Sequence, residues 1–165
     1  MKKYDVVIGI DPDVDKSGVA YMETESRMLE ATSLTFAELL DYLREAGEVL
    51  AERGKSFVVV VEAGWLNKAH WHVGKGGSAA RSAAIGNHTG RNHEVGRKIV
   101  EMCRHYGIEV VEQPPLRKMW KGKDGKITHE ELQHFTGITG KTNQETRDAA
   151  LLAWEYAGLP IRIKN

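Results

Sequence analysis

The chain has 165 residues and a mass of 18.4 kDa, with 41% hydrophobic and 28% charged residues, the composition of one ordinary globular domain spanning residues 1–165. That excludes collagen-like, low-complexity and wholly disordered chains; no apolar run reaches the ~18 residues of a membrane-spanning helix, and a single cysteine, Cys103, excludes a disulfide framework and a cysteine-based zinc finger. Net charge is zero, yet residues 1–62 carry −6, residues 63–126 carry +7 and residues 127–165 carry −1, so a basic middle third holding five of the seven histidines points to a polyanion-facing surface.

The first element is a buried strand from Tyr4 to Ile10, carrying the run Val6-Val7-Ile8-Gly9-Ile10. A turn through Pro12, Asp13 and Asp15 leads to a second strand over Ser17 to Thr24, and a third follows over Met28 to Leu34. Short connections make the three an antiparallel meander. Thr35-Phe36-Ala37-Glu38 has the pattern of a capping box and opens a helix with apolar residues on one face, ended by Gly54. Phe57 to Val61 is the most apolar run of the chain and reads as a central strand covered on both faces. A Gly-rich, Trp- and His-containing segment from Ala63 to Gly77 reads as a loop or arm. A helical pattern runs from Ser78 to Tyr106, with Gly86 and Gly90 as candidate breaks and Gly107 as terminator. Ile108 to Val111 reads as a fifth strand, stopped by Pro114-Pro115, and Leu116 to Lys126 as a basic loop. Thr128–Glu131 and Thr142–Glu145 are two further capping boxes, opening a short helix and a last helix that reaches Tyr156. The order β-β-β-α-β-α-β-α-α predicts an α/β fold, a mixed sheet with helices on both faces.

The carboxylates narrow the function. Asp11 directly follows the first buried strand and Glu62 the central one, and strand ends are where ligand sites form in open α/β sheets. Glu145 and Asp148 stand three apart on the last helix and project from one face. Four carboxylates on three distant segments suit oxygen ligation of Mg²⁺ or Mn²⁺. Two such ions about 3.5–4 Å apart would stabilise the attacking and leaving oxygens of a phosphoryl displacement. Each carboxylate also has a plain structural role open to it: turn residue, strand-end charge, cap partner or first-turn charge.

Ile8-Gly9-Ile10-Asp11-Pro12 and Ser17-Gly18-Val19-Ala20 resemble the opening of RuvC-type Holliday junction resolvases of the ribonuclease H-like superfamily. The similarity continues through Val59–Glu62, Glu94–Arg97, Val110–Glu112, Pro115, Trp120-Lys121 and Leu132–His134, and ends in Glu145–Ala153, so it covers nearly the whole chain in order. It implies a five-stranded sheet of order 3-2-1-4-5. It also implies divalent metals held by Asp11, Glu62, Glu145 and Asp148, and a basic residue near the scissile phosphate, with Lys121 first and Lys118 second as candidates. Asp13 stands where that family usually has glycine, and Glu145 where aspartate is more usual; residues 63–93 are longer than in the cellular enzymes, which points toward a phage or mobile-element branch.

Within the longer segment, Lys68, Lys75, Arg81, Arg91 and Arg97 can contact phosphates, as can Lys118 and Lys121, while Trp65 and Trp71 can stack on exposed bases. His70, His72, His88 and His93 lack a thiolate and a known ligand spacing, so zinc is not expected. The leading expectation is a Mg²⁺- or Mn²⁺-dependent, structure-selective endonuclease with catalytic residues Asp11, Glu62, Glu145, Asp148 and Lys121. It would act on branched DNA as a homodimer, because two symmetric cuts call for a two-fold axis. The setting would be cytoplasmic, with no membrane association, since no apolar leader of sufficient length precedes Asp11. Alternatives are another ribonuclease H-like nuclease acting on RNA–DNA hybrids or single strands, and a catalytically silent DNA-binding subunit. A sugar-kinase or actin-like ATPase also begins with an aspartate after a strand, but it needs two such domains.

Overall fold

A computed structural model describes residues 2–67 and 79–165. The strands are β1 (Val6–Asp11), β2 (Ser17–Glu23), β3 (Leu29–Leu34), β4 (Phe57–Glu62) and β5 (Val110–Gln113). The helices are α1 (Phe36–Glu52), α2 (Ala79–His105), α3 (His129–Thr136) and α4 (Gln144–Tyr156), with 3₁₀ turns at Gly64–Leu66 and Lys123–Gly125. The sheet has the order β3-β2-β1-β4-β5, as the sequence implies. The meander pairs are antiparallel and the β1–β4 and β4–β5 pairs parallel.

Alternation along the strands divides the interior in two. Val6, Ile8 and Ile10 of β1 and Val59 and Val61 of β4 pack against Leu39 and Leu43 of α1 and Ile99, Val100 and Cys103 of α2. Val7 of β1 and Val58 and Val60 of β4 pack on the opposite face with Ala149, Ala150, Leu152 and Ala153 of α4. The same period of two places Gly9, Asp11 and Glu62 on the α4 face. Because Ile10 pairs with Val61, Asp11 and Glu62 end neighbouring parallel strands at one edge of the sheet.

Helix α4 reaches that edge because β1 and β2 each present a glycine beneath it. A Cβ on Gly9 would overlap the carbonyl oxygen of Ala149, and one on Gly18 would overlap the carbonyl of Glu145. Gly18 pairs with Asp11 across β1–β2, so the first turn of α4 lies directly beside Asp11.

Strand ends shift by one or two residues from the sequence reading, β1 running over Val6–Asp11 and β5 over Val110–Gln113, and three differences have a physical cause. Helix α2 runs unbroken through Gly86 and Gly90, since Gly90 lies on an exposed stretch where no packing has to be satisfied. Ile108 does not open β5; its N–H donates to Cys103 beyond the left-handed Gly107, completing the helix C-cap, and the strand begins at Val110. The cap of α4 is Asn143, not Thr142. The Asn143 side chain accepts from the Thr146 N–H at 2.9 Å, and the Thr146 hydroxyl accepts from the Asn143 N–H at 2.9 Å. The Thr142 hydroxyl instead meets Arg147 at 3.2 Å and His129 at 2.9 Å. The shift releases Glu145 from the capping role it would have had.

Replacing Gly18 with alanine drives a methyl group into the α4 backbone and should cost about 1–3 kcal/mol. Gly90→Ala, with open space around it, should gain about 0.5–1 kcal/mol. Thermal denaturation of the two variants checks the pair: opposite signs are expected, and a Gly18→Ala protein as stable as wild type would contradict the close seating of α4.

Candidate active site

Four segments meet at the C-terminal ends of β1 and β4. Asp11 and Glu62 come from the sheet. Asp148 comes from the second turn of α4, where it is buried at 7% exposure, with Glu145 one turn earlier. The fourth segment carries Lys126, whose Nζ lies 3.0 Å from Asp148 Oδ2. Gln144 Nε2 donates to Asp148 Oδ1 at 2.8 Å, an i,i+4 pair on the same helix, so both carboxylate oxygens of Asp148 are engaged.

The electrostatics follow from this crowding. Asp11 keeps part of its surface open, yet burial drives its pKa well above the ordinary carboxylate value, and the charges of Glu62, Asp148 and Glu145 drive it further. Glu62 is raised by burial and then by Asp148, with Lys126 and Lys118 acting against the rise. Burial opposes the charge on Lys126, but Asp148, Asp11 and Glu62 outweigh it and raise its pKa. The site is thus an acidic cluster short of positive charge, compensated in part by one lysine.

Two small clefts open on either side of Glu62. One, of about 50 Å³, is lined by Glu62, Lys118, Lys126 and Asp148 among others. The other, of about 160 Å³, is lined by Asp11, Glu62, Trp65, Asn92 and His93. A larger cavity of about 490 Å³ lies beside Tyr4, Arg27 and Tyr156 and includes none of the carboxylates; the chemistry, not the volume, locates the site.

Lys126 is held in place by its loop. The Gly122 N–H donates to the Lys126 carbonyl at 2.9 Å and the Trp120 N–H to Gly125 at 2.9 Å, closing a hairpin. Glu131 of α3, 4% exposed, accepts from the N–H groups of Lys121 at 3.0 Å and Thr128 at 3.0 Å. Burial would raise the Glu131 pKa, but these amide donors outweigh it and hold the carboxyl below its ordinary value.

Asp11, Glu62 and Asp148 therefore lie within electrostatic reach of one another, and Glu145 acts on Asp11 from the first turn of α4. Lys118 faces the smaller cleft. Lys121 does not join the cluster: its ammonium donates to the carbonyl of Lys164 at 2.9 Å. Lys126 occupies the place beside the carboxylates instead. The signal that would have found it is its position just ahead of the Thr128–Glu131 capping box, which fixes where the loop ends. Gln144 on Asp148, and Asn92 and His93 in the larger cleft, also join the site without a local sequence signal. Arg81, Arg91 and Arg97 lie on α2. Arg97 sits 5.7 Å over the Trp65 ring and 3.9 Å from Glu94. Trp65 is a wall and not a free stacking platform: its Nε1 donates to Glu112 at 3.3 Å, its ring meets His93 edge-on, and it lies where a side chain on Gly96 would stand. Lys68, His70, Trp71, His72 and Lys75 lie outside the described residues. Asp13 holds the turn after Asp11, its carboxylate accepting from the Asp15 N–H at 2.9 Å and from Asn92 at 3.4 Å.

No three His, Cys, Asp or Glu side chains among the described residues form a ready-made cation cage. The residues that could hold a hard divalent ion are the carboxylates Asp11, Glu62, Glu145 and Asp148, whose negative charge exceeds what Lys126 balances. Asp148 is turned onto Lys126 and Gln144.

Asp11 binds a proton more readily in the folded than in the unfolded chain. Its contribution is therefore fully favourable at low pH and is lost as pH rises from the unfolded carboxylate range through the raised folded value. At neutral pH in EDTA, Asp11→Asn should raise the thermal midpoint; each 1 kcal/mol gained moves it by about 2–4 °C in a chain of this size. Lys126→Met should lower the midpoint, costing about 1–3 kcal/mol for the unpartnered Asp148 oxygen. A lower midpoint for Asp11→Asn would contradict the repulsive cluster.

No protein-family model and no curated protein matches the chain. Among solved structures, RuvC of T. thermophilus in complex with Holliday junction substrate is similar at a TM-score of 0.52 and 18% identity, covering 92% of each chain. A Fowlpox virus resolvase in complex with substrate Holliday junction DNA is similar at a TM-score of 0.41 and 12% identity, covering 93% of this chain and 97% of that one. No helix among the described residues is long and apolar enough to cross a membrane. The sheet order, the placement of helices on both faces and the similarity over nine-tenths of both chains establish that this protein has the ribonuclease H-like fold in the arrangement of the RuvC resolvases.

Proposed function

We propose that the chain is a divalent-metal-dependent endonuclease that cuts DNA at four-way junctions. The observation that carries this reading is the meeting of Asp11, Glu62, Glu145 and Asp148 beside Lys126, at the sheet edge where two solvent-open clefts converge. The fold likeness to a RuvC solved with its junction substrate supports the choice of DNA class.

In this reading the four carboxylates would hold Mg²⁺ or Mn²⁺, two ions per site, and that metal would supply water activation and charge neutralisation at the phosphate. Asp11 and Glu62 form the fixed part of the ligand set, because each ends a strand buried in the sheet. Asp148 and Glu145 arrive on a helix whose first turn is seated on Gly18. Lys126, whose ammonium stands beside Asp148, would stabilise the negative charge that grows on a phosphate bound there. Lys118 and its basic loop orient the strand. Trp65, Pro12 and Gly96 close the α2 side of the site. Cutting both strands of a symmetric junction calls for two copies of this site, hence a homodimer.

Cleavage of a labelled four-way junction, set beside duplex, single-stranded and hybrid substrates with Mg²⁺ or Mn²⁺, tests the proposal. Asp11→Asn and Glu62→Gln should abolish cutting while junction binding in Ca²⁺ persists. Lys126→Gln should slow cutting by about 10²–10³-fold, the usual loss for one charge-stabilising donor. Equal cutting of hybrid and junction would replace the junction reading with a general nuclease of the same fold; retained cutting by Asp11→Asn would remove the metal reading.

A further inference from the structure

The segment after α4 has no role in the site, yet it is not loose. Trp154 Nε1 donates to the carbonyl of Pro160 at 3.0 Å, and the ammonium of Lys121 donates to the carbonyl of Lys164 at 2.9 Å. These two bonds lay residues 160–164 beside the loop that carries Lys118 and Lys126. The loop and the tail are further linked through an aromatic row. Trp120 of the loop stacks on Phe135 of α3 at 5.9 Å, and Phe135 meets Trp154 of α4 edge-on at 5.9 Å. Trp120 and Trp154 are buried, so the row is a fixed part of the interior.

The charge of this assembly is one-sided. Residues 116–126 and 157–165 together carry seven cationic side chains against one carboxylate, Asp124. Lys118, Lys121, Lys123, Arg162 and Lys164 are all exposed. The inner end of the ridge is the cleft shared by Lys118, Lys126, Glu62 and Asp148. A cationic ridge held in one shape, starting at the place where a phosphodiester would be cut and running away along the surface, suits a regular polyanion that leaves the site in a defined direction.

We infer that the tail around Arg162 and Lys164, clipped to the loop by Lys121, is a contact surface for the duplex arm of the DNA leaving the candidate active site. This rests on the junction-cutting reading and adds to it a surface that lies wholly outside the carboxylate cluster. Lys121 then acts as a strut: its charge is spent on the tail carbonyl, and the tail supplies the outward-facing cations. The bond is made to the main chain, so Lys164→Gln leaves the clip intact while removing the charge.

The test is a salt titration of four-way junction binding in Ca²⁺, comparing wild type with the double variant Arg162→Gln/Lys164→Gln and with a control, Arg53→Gln/Lys55→Gln. The control lies at the opposite end of the strands, where residues 55–57 lead into β4. All four positions are exposed, and unchanged thermal midpoints confirm folding. The tail variant should flatten the slope of log affinity against log salt by up to about 2, near one unit for each phosphate that the tail no longer neutralises. It should also lose hydroxyl-radical protection along one arm. The control should keep the wild-type slope. A tail variant with the wild-type slope, or a control that flattens it equally, overturns the inference while leaving the junction reading standing. A wild-type protein that fails to bind junction DNA at all removes the junction reading itself.

Discussion

The contact on which the rest of the structure depends is the seating of α4 on bare backbone. Gly9 and Gly18 face the helix from β1 and β2, and side chains there would collide with the carbonyls of Ala149 and Glu145. On a sheet of ordinary residues, side chains hold a helix away from the strand backbone. With two glycines beneath it and Ala149, Ala150 and Ala153 on its own face, α4 comes closer. The same approach aligns Glu145 and Asp148 with Asp11, since Gly18 is the residue paired with Asp11. Core packing and site assembly are thus one interaction, and a change in one is felt in the other.

Bringing the carboxylates together has an electrostatic cost that the chain offsets incompletely. Asp148 is buried with both oxygens bonded, one to Lys126 and one to Gln144. Asp11 and Glu62 are left with burial and like charge raising their pKa values. Such local strain is a common property of functional sites and is sustained by structure elsewhere. Here that support includes the hairpin of residues 120–126, tied to α3 through Glu131, which holds Lys126 against the cluster.

Much of this was legible in the sequence because it follows from short-range periodicity. Period two in Val6–Ile10 and Phe57–Val61 fixes which side chains share a face, and a carboxylate at the end of each run falls at one sheet edge. Sheet order and the adjacency of Asp11 and Glu62 emerge as the resemblance implied. The misplaced details depend on tertiary contacts that no local pattern encodes. Thr142-x-x-Glu145 and Asn143-x-x-Thr146 are both plausible caps, and the choice is made by Arg147 and His129, which occupy the Thr142 hydroxyl. Lys121 and Lys126 are indistinguishable by composition. Their separation into a strut and a site residue is decided by the hairpin turn, where Asp124 and Gly125 take left-handed backbone angles of 56° and 75° in φ. Trp65 reads as an exposed stacking group because it lies in a polar segment, but Gly96 of α2 leaves room for its ring and Glu112 of β5 provides its acceptor.

The central claim is that the cluster of Asp11, Glu62, Glu145 and Asp148 is a divalent cation site made by the close approach of α4 to β1. Calorimetric titration of the folded protein with Mn²⁺, in the absence of DNA, addresses it without reference to any substrate. The account predicts saturable binding to wild type that is lost in Asp11→Asn and weakened in Gly18→Ala. Saturable binding of equal strength in wild type and Asp11→Asn, or none in wild type, would contradict it.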